Sequence, residues 1–519
     1  MGSGQRRYEL TGLQDAQVEL WNLTRNERLV DFTYAEGTLA FQDSASDTTY
    51  YFVAGKGAWL KPQIVADEPS EWKSPSNGAD YLMITHEDFY SDLEPLASHY
   101  QELGMRVQRV KVGDIYDEFS FGLKTPQAIF DFIQYAYFNY QPPSPTYILL
   151  VGDASWDYKG YDSQPYVDFI PTHSFMTQKW GETASDNWFV SVSGQNPLPD
   201  CYIGRFPVNT SDEAEVLVQK SLAYAQAPPG YWRSQVIFTN GANSPEIDAP
   251  YFDSTAQALI DNYFPEWYDP PRIFSTPSAG YEQYLGDSQD LIQQVNLGAA
   301  MINYIGHAGN QMWETLDQSQ IPLLTNGDKM PFTAAFSCFT GIFSNTTGFG
   351  EALILQPGGG AIAYWSNTAL GYQYNNGYIN DYLFQTLFAE DSLTFGAAAT
   401  GAKWEYSVLF GNLGNVIETY TLLGDPAASF VFEDPDPSDT LDNSPPQISF
   451  SVPGTNFRSG DFIQNPVTFS CEVFDSTELE LSSLVMELAD LSADTVWQWS
   501  GIPDSSLLAL QGFEINYFG

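Results

Sequence analysis

Two residues of the 519-residue chain have the types and the setting that covalent catalysis requires, His307 and Cys338. A thiol attacks a carbonyl as the thiolate, and a neighbouring imidazole can remove its proton. The chain has only 4 histidines and 3 cysteines, so few such pairs are available. Each of the two follows an apolar segment, residues 301–305 before the histidine and 331–337 before the cysteine. The pattern predicts that both lie just beyond the end of a buried strand.

The two segments also have the spacing of neighbouring strands in a parallel sheet. His307 and Cys338 are 31 residues apart, enough for one crossover, which would contain residues 316–324. The carboxyl ends of parallel strands share one edge of an open α/β sheet, and ligands bind at that edge. Gly306 and Gly309 would let a substrate approach the backbone closely. We predict imidazole and thiol side by side there; the alternative, a core cysteine and a hydrogen-bonded loop histidine, leaves their shared position at strand ends unexplained.

Alternating strand and helix patterns surround these residues. Short apolar strands alternate with helical stretches from about residue 79, and Thr125 and Pro126 mark the start of one helix. The alternation restarts after the Pro- and Gly-containing segment 227–230. This predicts an α/β fold class with a parallel sheet covered by helices on both faces. Subdomain A is expected over 76–228 and subdomain B over 229–432, as two sheets or as two halves of one.

Two flanking regions have β-rich patterns instead. Residues 1–75 contain short strand-like pieces broken by turn residues, which predicts the remnant of a β-domain. After an acidic linker at 432–439, residues 445–519 alternate in the manner of an immunoglobulin-like β-sandwich. We expect this last domain to be incomplete.

The charge balance excludes some classes of partner. The chain has 65 acidic and 20 basic residues, a formal net charge of −45. Nucleic-acid phosphates are bound by basic clusters, which the sequence lacks, and an anionic membrane surface would repel the chain. No apolar run reaches the roughly 18–20 residues that a membrane-spanning helix needs. We predict no nucleic-acid partner and no membrane-spanning segment.

The cysteines and the first residues bear on cellular location. The 3 cysteines are odd in number and far apart, so they predict no disulfide framework. Met1-Gly2-Ser3-Gly4 lacks the charged and apolar regions of a signal peptide and is typical of an added start, so a native export signal could have been removed. Because the acidic composition favours an extracellular or salty medium, we expect a secreted or cell-surface protein.

Several sequence blocks occur together over roughly residues 79–430. In their order and spacing the chain resembles the gingipain family of cysteine peptidases, peptidase family C25, which has a caspase-like fold and includes the sortase of the type IX secretion system. The blocks are Ile115-Tyr116-Asp117-Glu118-Phe119, Leu150-Val151-Gly152-Asp153, Ser185-Asp186-Asn187, Ile203-Gly204-Arg205-Phe206-Pro207, Asn303-Tyr304-Ile305-Gly306-His307, Ser337-Cys338, Gly358-Gly359-Gly360-Ala361-Ile362-Ala363 and Leu423-Gly424-Asp425-Pro426.

The resemblance implies a caspase-like catalytic domain of two subdomains and assigns roles within it. His307 is implied as the general base and acid, and Cys338 as the nucleophile that forms a thioacyl enzyme. The backbone N–H groups of Cys338 and Ala308 are implied as the oxyanion hole, in which one donor contributes about 2.7–4 kcal/mol. The chain departs from the family at two positions, with Ala308 where Gly is usual and Ser337 where Ala or a similar small residue is usual. A Cβ at position 308 could restrict the oxyanion hole.

A third group that orients the imidazole is expected by analogy with catalytic triads. We expect the long segment 152–200 to supply it, with Asp153, Glu182 and Asp186 as candidates. Asp186 matches the family position that lines the primary specificity pocket of arginine-cleaving members. The resemblance thus implies a basic residue before the cleaved bond, while a solvated loop carboxylate is the alternative. Tyr372 is either a pocket wall or an ordinary surface aromatic residue.

The sequence predicts no cofactor requirement for catalysis. It has no P-loop, no G-x-S-x-G elbow and no complete EF-hand, and His86-Glu87 lacks the second histidine of a zinc-peptidase motif. Structural calcium is compatible with the many Asp and Asn residues and with the resemblance, but no metal ligand set is readable. The implied substrates are proteins or peptides, and the sortase-like members imply an association with secretion or cell-surface machinery.

The predicted function is a cysteine endopeptidase that acts on exported or extracellular proteins through a His–Cys dyad. Two alternatives stay open. One is a transpeptidase of the type IX secretion sortase kind, in which the thioacyl group passes to an amine; the β-rich flanking regions fit it. The other is a catalytically silent adhesion or scaffold module that keeps the fold, an interpretation that Ala308 keeps open.

Overall fold

The chain forms two compact units, Met1–Pro69 and Ser70–Gly519. A computed structural model describes these residues over the following ranges: 4–45, 48–61, 64, 66–161, 166–344, 347–389, 393–430, 432, 447–451, 470–474, 485–489, 495–500 and 514–515.

The first unit consists of two small antiparallel sheets, ordered β1-β5-β4 and β3-β2-β6. Its strands are β1 (Gly4–Thr11), β2 (Val18–Asn22), β3 (Glu27–Arg28), β4 (Phe32–Ala35), β5 (Thr38–Ala45) and β6 (Tyr51–Gly55). Alternate residues of β2 are buried, as expected for a strand with one face on a core. Leu20, Leu39 and Phe41 form the centre of that core.

The second unit is built on one ten-stranded sheet in the order β14-β13-β15-β18-β19-β20-β12-β9-β7-β8. Its strands are β7 (Tyr81–Thr85), β8 (Val107–Lys111), β9 (Tyr147–Val151), β12 (Tyr202–Phe206), β13 (Val236–Gly241), β14 (Arg272–Phe274), β15 (Met301–Gly306), β18 (Phe332–Phe336), β19 (Ala363–Asn367) and β20 (Tyr420–Leu423). Two hairpins project from it: β10 (His173–Thr177) with β11 (Gly181–Ser185), and β16 (Ala308–Gly309) with β17 (Met312–Trp313). The predicted α/β fold class is confirmed.

The sheet has two halves whose strands run in opposite directions. In the A half, β7, β8, β9 and β12 are mutually parallel; in the B half, β13, β14, β15, β18 and β19 are mutually parallel. Strand β20 joins them, antiparallel to β19 and parallel to β12, which it meets at the pair Arg205↔Leu423. Strands of the two halves therefore end at opposite edges of the sheet. We call the edge at which β15 and β18 end the site edge.

Helices cover both faces of the sheet. They are α1 (Glu94–Glu102), α2 (Val112–Ser120), α3 (Pro126–Asn139), α4 (Ser211–Gln226), α5 (Ala249–Tyr263), α6 (Ser288–Leu297), α7 (Phe349–Leu355), α8 (Gln373–Leu387), α9 (Phe395–Phe410) and α10 (Val416–Thr419). Helix α3 begins at Pro126 as predicted, and the Thr125 hydroxyl accepts the N–H of Gln127 at 3.4 Å. The crossover between β15 and β18 contains the short 3₁₀ helix Gln318–Leu323.

The C-terminal region contains strands β21 (Gln447–Ser451), β22 (Ser470–Phe474), β23 (Val485–Ala489), β24 (Thr495–Ser500) and β25 (Glu514–Ile515). Strand β21 pairs antiparallel with β22, as does β23 with β24. Most of the predicted acidic linker lies outside the described residues, and the predicted sandwich stays a prediction. In the described part of the chain, no helix has the length and apolar character to cross a membrane.

Candidate active site

Neighbouring strands bring His307 and Cys338 together. Strands β15 and β18 are parallel, fully buried neighbours, and their last pair is Ile305↔Phe336. His307 and Cys338 each lie two residues beyond that pair, on strands that are about 4.8 Å apart. The two residues therefore lie at neighbouring strand ends of the site edge. The side-by-side placement of imidazole and thiol stays a prediction.

The backbone of His307 is held from two sides. Its N–H donates to the carbonyl of Gly241 at 2.8 Å, and its own carbonyl accepts from the hydroxyl of Tyr304. The Tyr304 ring stacks on Trp313, with centroids 4.5 Å apart and planes 4° apart. Gly306 makes the close strand contact possible, because a Cβ there would lie 2.2 Å from the oxygen of Gly241. The histidine thus starts from a fixed backbone position.

Asp248 orients the imidazole. Its Oδ2 lies 2.6 Å from Nε2 of His307, and the side chains are 12% and 42% exposed. Burial raises the pKa of Asp248, but hydrogen bonds from His307 and from the N–H groups of Asn243 and Ser244 outweigh it, so the pKa is lowered overall. An ionised Asp248 accepts a hydrogen bond from the N–H at Nε2 of His307. This leaves Nδ1 as the basic nitrogen.

The expectation that segment 152–200 supplies the orienting group is therefore wrong. Asp248 follows β13, and β13 pairs with β15 up to Gly241↔Gly306, so its loop leaves the site edge beside the histidine. The signal was present in the sequence, since Asp248 comes after a buried strand as His307 does. The end of β13 therefore marked the loop that supplies the orienting carboxylate.

The thiol of Cys338 is half-buried and contacts the backbone of Gly371. Its Sγ accepts the N–H of Gly371 at 3.3 Å and lies 3.6 Å from the carbonyl oxygen of the same residue. Burial raises the pKa of the Cys338 thiol, and the N–H of Gly371 offsets this only in part. No hydrogen bond joins the thiol to the imidazole within the described residues. The thiol is thus neutral at rest, and a reaction at its sulfur would require a base.

A tight turn follows Cys338. Phe339 has a left-handed backbone with φ of 62°, uncommon for a large side chain, and its N–H donates to Ala369 at 2.9 Å. The buried hydroxyl of Ser337 lies 3.0 Å from that of Thr340, so the unusual serine has an internal partner. The N–H of Cys338 donates to no other residue in the described ranges, which leaves it available to a bound carbonyl.

Ala308 fits this backbone without strain. It lies in β16, opposite Trp313, and is not among the residues with positive φ. A Cβ at position 308 therefore requires no left-handed conformation. Its role as an oxyanion donor stays a prediction.

Segment 152–200 reaches the site edge through the β10–β11 hairpin, although it begins at the opposite edge. The hydroxyl of Thr183 donates to the carbonyl of Thr368, and the hydroxyl of Thr368 donates to the carbonyl of Ala184, both at 2.8 Å. At the hairpin tip, the Trp180 ring packs on Phe339 at 4.6 Å. The A half thus contributes one wall of the site.

Asp186 is committed to a buried ion pair. It is 2% exposed, and its two oxygens accept from Nε and Nη2 of Arg205 at 2.7 and 2.9 Å. Thr172 donates to the same carboxylate at 2.9 Å. Asp186 neither orients His307 nor faces a substrate, so its predicted role in recognising a basic residue is wrong. Its charge balances the fully buried guanidinium instead.

The other two candidate carboxylates also lie away from the imidazole. Asp153 accepts from the N–H of Ala154 at 2.8 Å and from Asn209 at 3.1 Å, and burial raises its pKa to about 7. Glu182 is exposed on the face of β11 opposite to Thr183, which contacts the site. Neither carboxylate has a hydrogen bond to His307 in the described structure.

Tyr372 lies one residue beyond Gly371, the partner of the thiol, and the ammonium of Lys179 is 5.2 Å from its ring. Its role as a pocket wall stays a prediction. In the ranges that the structure describes, no group of three or more His, Cys, Asp or Glu side chains could hold a metal ion, and structural calcium likewise stays a prediction.

Comparison with known proteins gives one family. The family model described as peptidase family C25 matches residues 74–431. Gingipain R2 of Porphyromonas gingivalis is 23% identical over 279 residues, covering 53% of this chain and 34% of its own length. Gingipain R1 of the same species is 21% identical over 435 residues, covering 80% of this chain and 40% of its own. The chain thus spans between a third and two fifths of these relatives.

Solved structures give the same fold. The Arg-specific cysteine proteinase gingipain R superposes with a TM-score of 0.55 at 19% identity, covering 83% of this chain and 90% of that one. The complex of the pro- and mature domains of Porphyromonas gingivalis RgpB gives a TM-score of 0.55 at 18% identity, covering 80% and 90%. At these identities the likeness shows the fold, which matches the expected caspase-like catalytic domain.

Proposed function

Because the chain belongs to peptidase family C25, we propose that it is a cysteine endopeptidase in which Cys338 is the nucleophile and His307 the general base and acid. One observation carries the proposal: His307 and Cys338 occupy matching positions beyond paired strands, and Nε2 of the imidazole is hydrogen-bonded to the Asp248 carboxylate. A core cysteine or a solvated loop histidine would have no need of that arrangement.

The reaction follows from the donors and acceptors in place. Asp248 holds the Nε2 proton of His307, and Nδ1 takes the proton of the Cys338 thiol. The thiolate attacks the substrate carbonyl carbon, a C–S bond forms, and the carbonyl electron pair moves onto oxygen. When this pair returns, the C–N bond breaks and the amine leaves with the proton from Nδ1. Water, deprotonated by Nδ1, then attacks the thioacyl carbon and releases the acid and the thiol.

The unpaired N–H of Cys338 is the best-supported donor to the developing oxyanion. It lies on the attacking residue, so it moves close to the carbonyl oxygen as the C–S bond forms. Ala308 is the second donor in this proposal. Its extended backbone supports this role, because an alanine adopts that conformation without strain.

Covalent labelling tests the proposal before any substrate is known. We expect a peptidyl chloromethyl ketone to alkylate Cys338 at least tenfold faster than Cys201, which is 2% exposed and whose pKa burial raises to about 12. His307→Ala should slow both labelling and peptide cleavage by about 10²–10⁴-fold, the usual contribution of a positioned base. Equal labelling of the cysteines, or full activity of Cys338→Ala, would overturn the proposal.

The same assay separates hydrolysis from transpeptidation. An added amine that captures the acyl group without raising total turnover would favour the transpeptidase alternative. We also propose that the substrates lie outside the cytoplasm, which the net charge of −45 supports. Fractionation of cells that carry the native gene, with detection of the chain in the medium or at the surface, tests this location.

A further inference from the structure

The β10–β11 hairpin covers the residue that follows the nucleophile. At its tip the Trp180 ring packs on Phe339, with centroids 4.6 Å apart and planes at 59°. The tip is held by Thr177, which is buried: its hydroxyl donates to the carbonyl of Gly181 at 2.8 Å and accepts the N–H of Trp180 at 3.1 Å. Trp180 is nevertheless 54% exposed. A partly open aromatic surface therefore lies directly beside Cys338.

The same tip brings a positive charge close to the loop that holds the thiol. Gly371 is the hydrogen-bond partner of Cys338, and Tyr372 follows it in the chain. The ammonium of Lys179 lies 5.2 Å from the Tyr372 ring. Aromatic surface and one cation thus flank the nucleophile on the hairpin side.

Carboxylates that could offset this cation are directed elsewhere. Asp186 is paired with Arg205 inside the protein. Glu182 and Thr183 are adjacent in β11, so their side chains point to opposite faces of the hairpin. Thr183 is the one that contacts Thr368, which follows β19 at the site edge. A basic substrate side chain would find Lys179 here and no carboxylate from the hairpin.

The chemistry of the thioacyl enzyme determines which substrate residue meets this surface. The acyl carbon is bonded to the sulfur, so the Cα of the residue before the cleaved bond is two bonds from Sγ. Its side chain must lie against the residues that flank Cys338. We propose that Trp180 and Phe339 form the subsite for that residue and that it binds an uncharged apolar side chain, while Lys179 disfavours Arg and Lys.

This inference rests on the proposed function and is tested with inactivators, which need no turnover. We expect a peptidyl chloromethyl ketone ending in Leu or Phe to alkylate Cys338 about tenfold or more faster than the matched reagent ending in Arg. Trp180→Ala should remove most of this preference when both rates are expressed relative to alkylation by iodoacetamide. Lys179→Glu should increase the rate at which the reagent ending in Arg alkylates Cys338. Trp267→Ala, which removes another half-exposed tryptophan, is the matched control and should change neither rate.

The outcomes distinguish the two claims. If iodoacetamide and both peptidyl reagents fail to label Cys338 selectively, the proposed function fails. If labelling is selective but the Arg reagent reacts faster, or if Trp180→Ala slows both peptidyl reagents equally, the function stands and the apolar subsite is wrong. If the two peptidyl reagents label Cys338 at equal rates, the apolar subsite is also wrong.

Discussion

The two halves of the sheet each contain an aspartate paired with a basic side chain, and the pairs differ in burial and in partner. In the A half, Asp186 is 2% exposed and bound to the fully buried Arg205. In the B half, Asp248 binds His307, whose side chain is 42% exposed. Arg205 has further partners, the carbonyls of Gly152 and Ile170 at 2.7 and 2.9 Å.

This difference distinguishes an ion pair that stabilises the fold from one that can take part in proton transfer. A guanidinium is always protonated and, once buried, must keep its acceptors, so the Asp186 pair fixes a long loop to the sheet. An imidazole changes its protonation near neutral pH, and an accessible one can exchange a proton with a substrate. An acidic residue at a family specificity position is thus informative only when its partner is known.

The largest expected effect is on stability, from breaking the buried pair. Asp186→Asn leaves Arg205 without its counter-charge inside the protein, and loss of one partner of a buried pair costs about 3–5 kcal/mol. Urea unfolding of the second unit measures this. The matched control is Glu94→Gln, which removes the partner of Arg109 at an exposed position and should cost below about 1 kcal/mol. Similar losses for the two variants would contradict the comparison.

The next effect is on turnover, from the exposed pair. Asp248→Asn should lower kcat by about 10²-fold, because the amide no longer favours the Nε2–H tautomer or the protonated imidazole. Its unfolding free energy should change by less than that of Asp186→Asn. Asp261→Asn, on the outside of α5, serves as the control for the loss of one negative charge. If the Asp248→Asn variant has a normal kcat but a lowered free energy of unfolding, Asp248 has a structural role like that of Asp186.

The smallest effect is the pH dependence of the Asp248 contact. The pKa of Asp248 is lowered in the folded protein, so its stabilising contribution is complete above the unfolded value of about 3.9 and is lost as pH falls towards the folded value. The stability difference between the wild type and Asp248→Asn should therefore close as the pH falls below about 4. If the difference in unfolding free energy closes as the pH rises instead, the pKa of Asp248 is not lowered by folding.

The strand ends that position His307 and Cys338 were predictable from the sequence. Residues 301–305 and 331–337 correspond to β15 and β18, and His307 and Cys338 follow them as expected. The capping pair Thr125 and Pro126 marked the start of α3, because its contacts are local in sequence. Asp248 also follows a buried strand, but it lies seven residues beyond Gly241, the last residue of β13, so the pattern marks it less directly than His307.

The long segment 152–200 was harder to interpret for a physical reason. It leaves the A half at one edge of the sheet and reaches the other edge only through β10–β11, a route that depends on β20 reversing the strand direction. No local pattern of the sequence encodes that reversal. The expectation for Asp186 failed because its partner, Arg205, is buried on another strand.

The sequence by itself indicated the family, through the order and spacing of its blocks. It also indicated the fold class and the two residues proposed to react, because apolar periodicity and residue type are local properties. Only the tertiary structure decided which carboxylate meets the imidazole, which one is buried beneath a guanidinium, and which aromatic residues lie beside the thiol. Those outcomes depend on how strands from distant parts of the chain pair, and pairing is a property of the whole sheet.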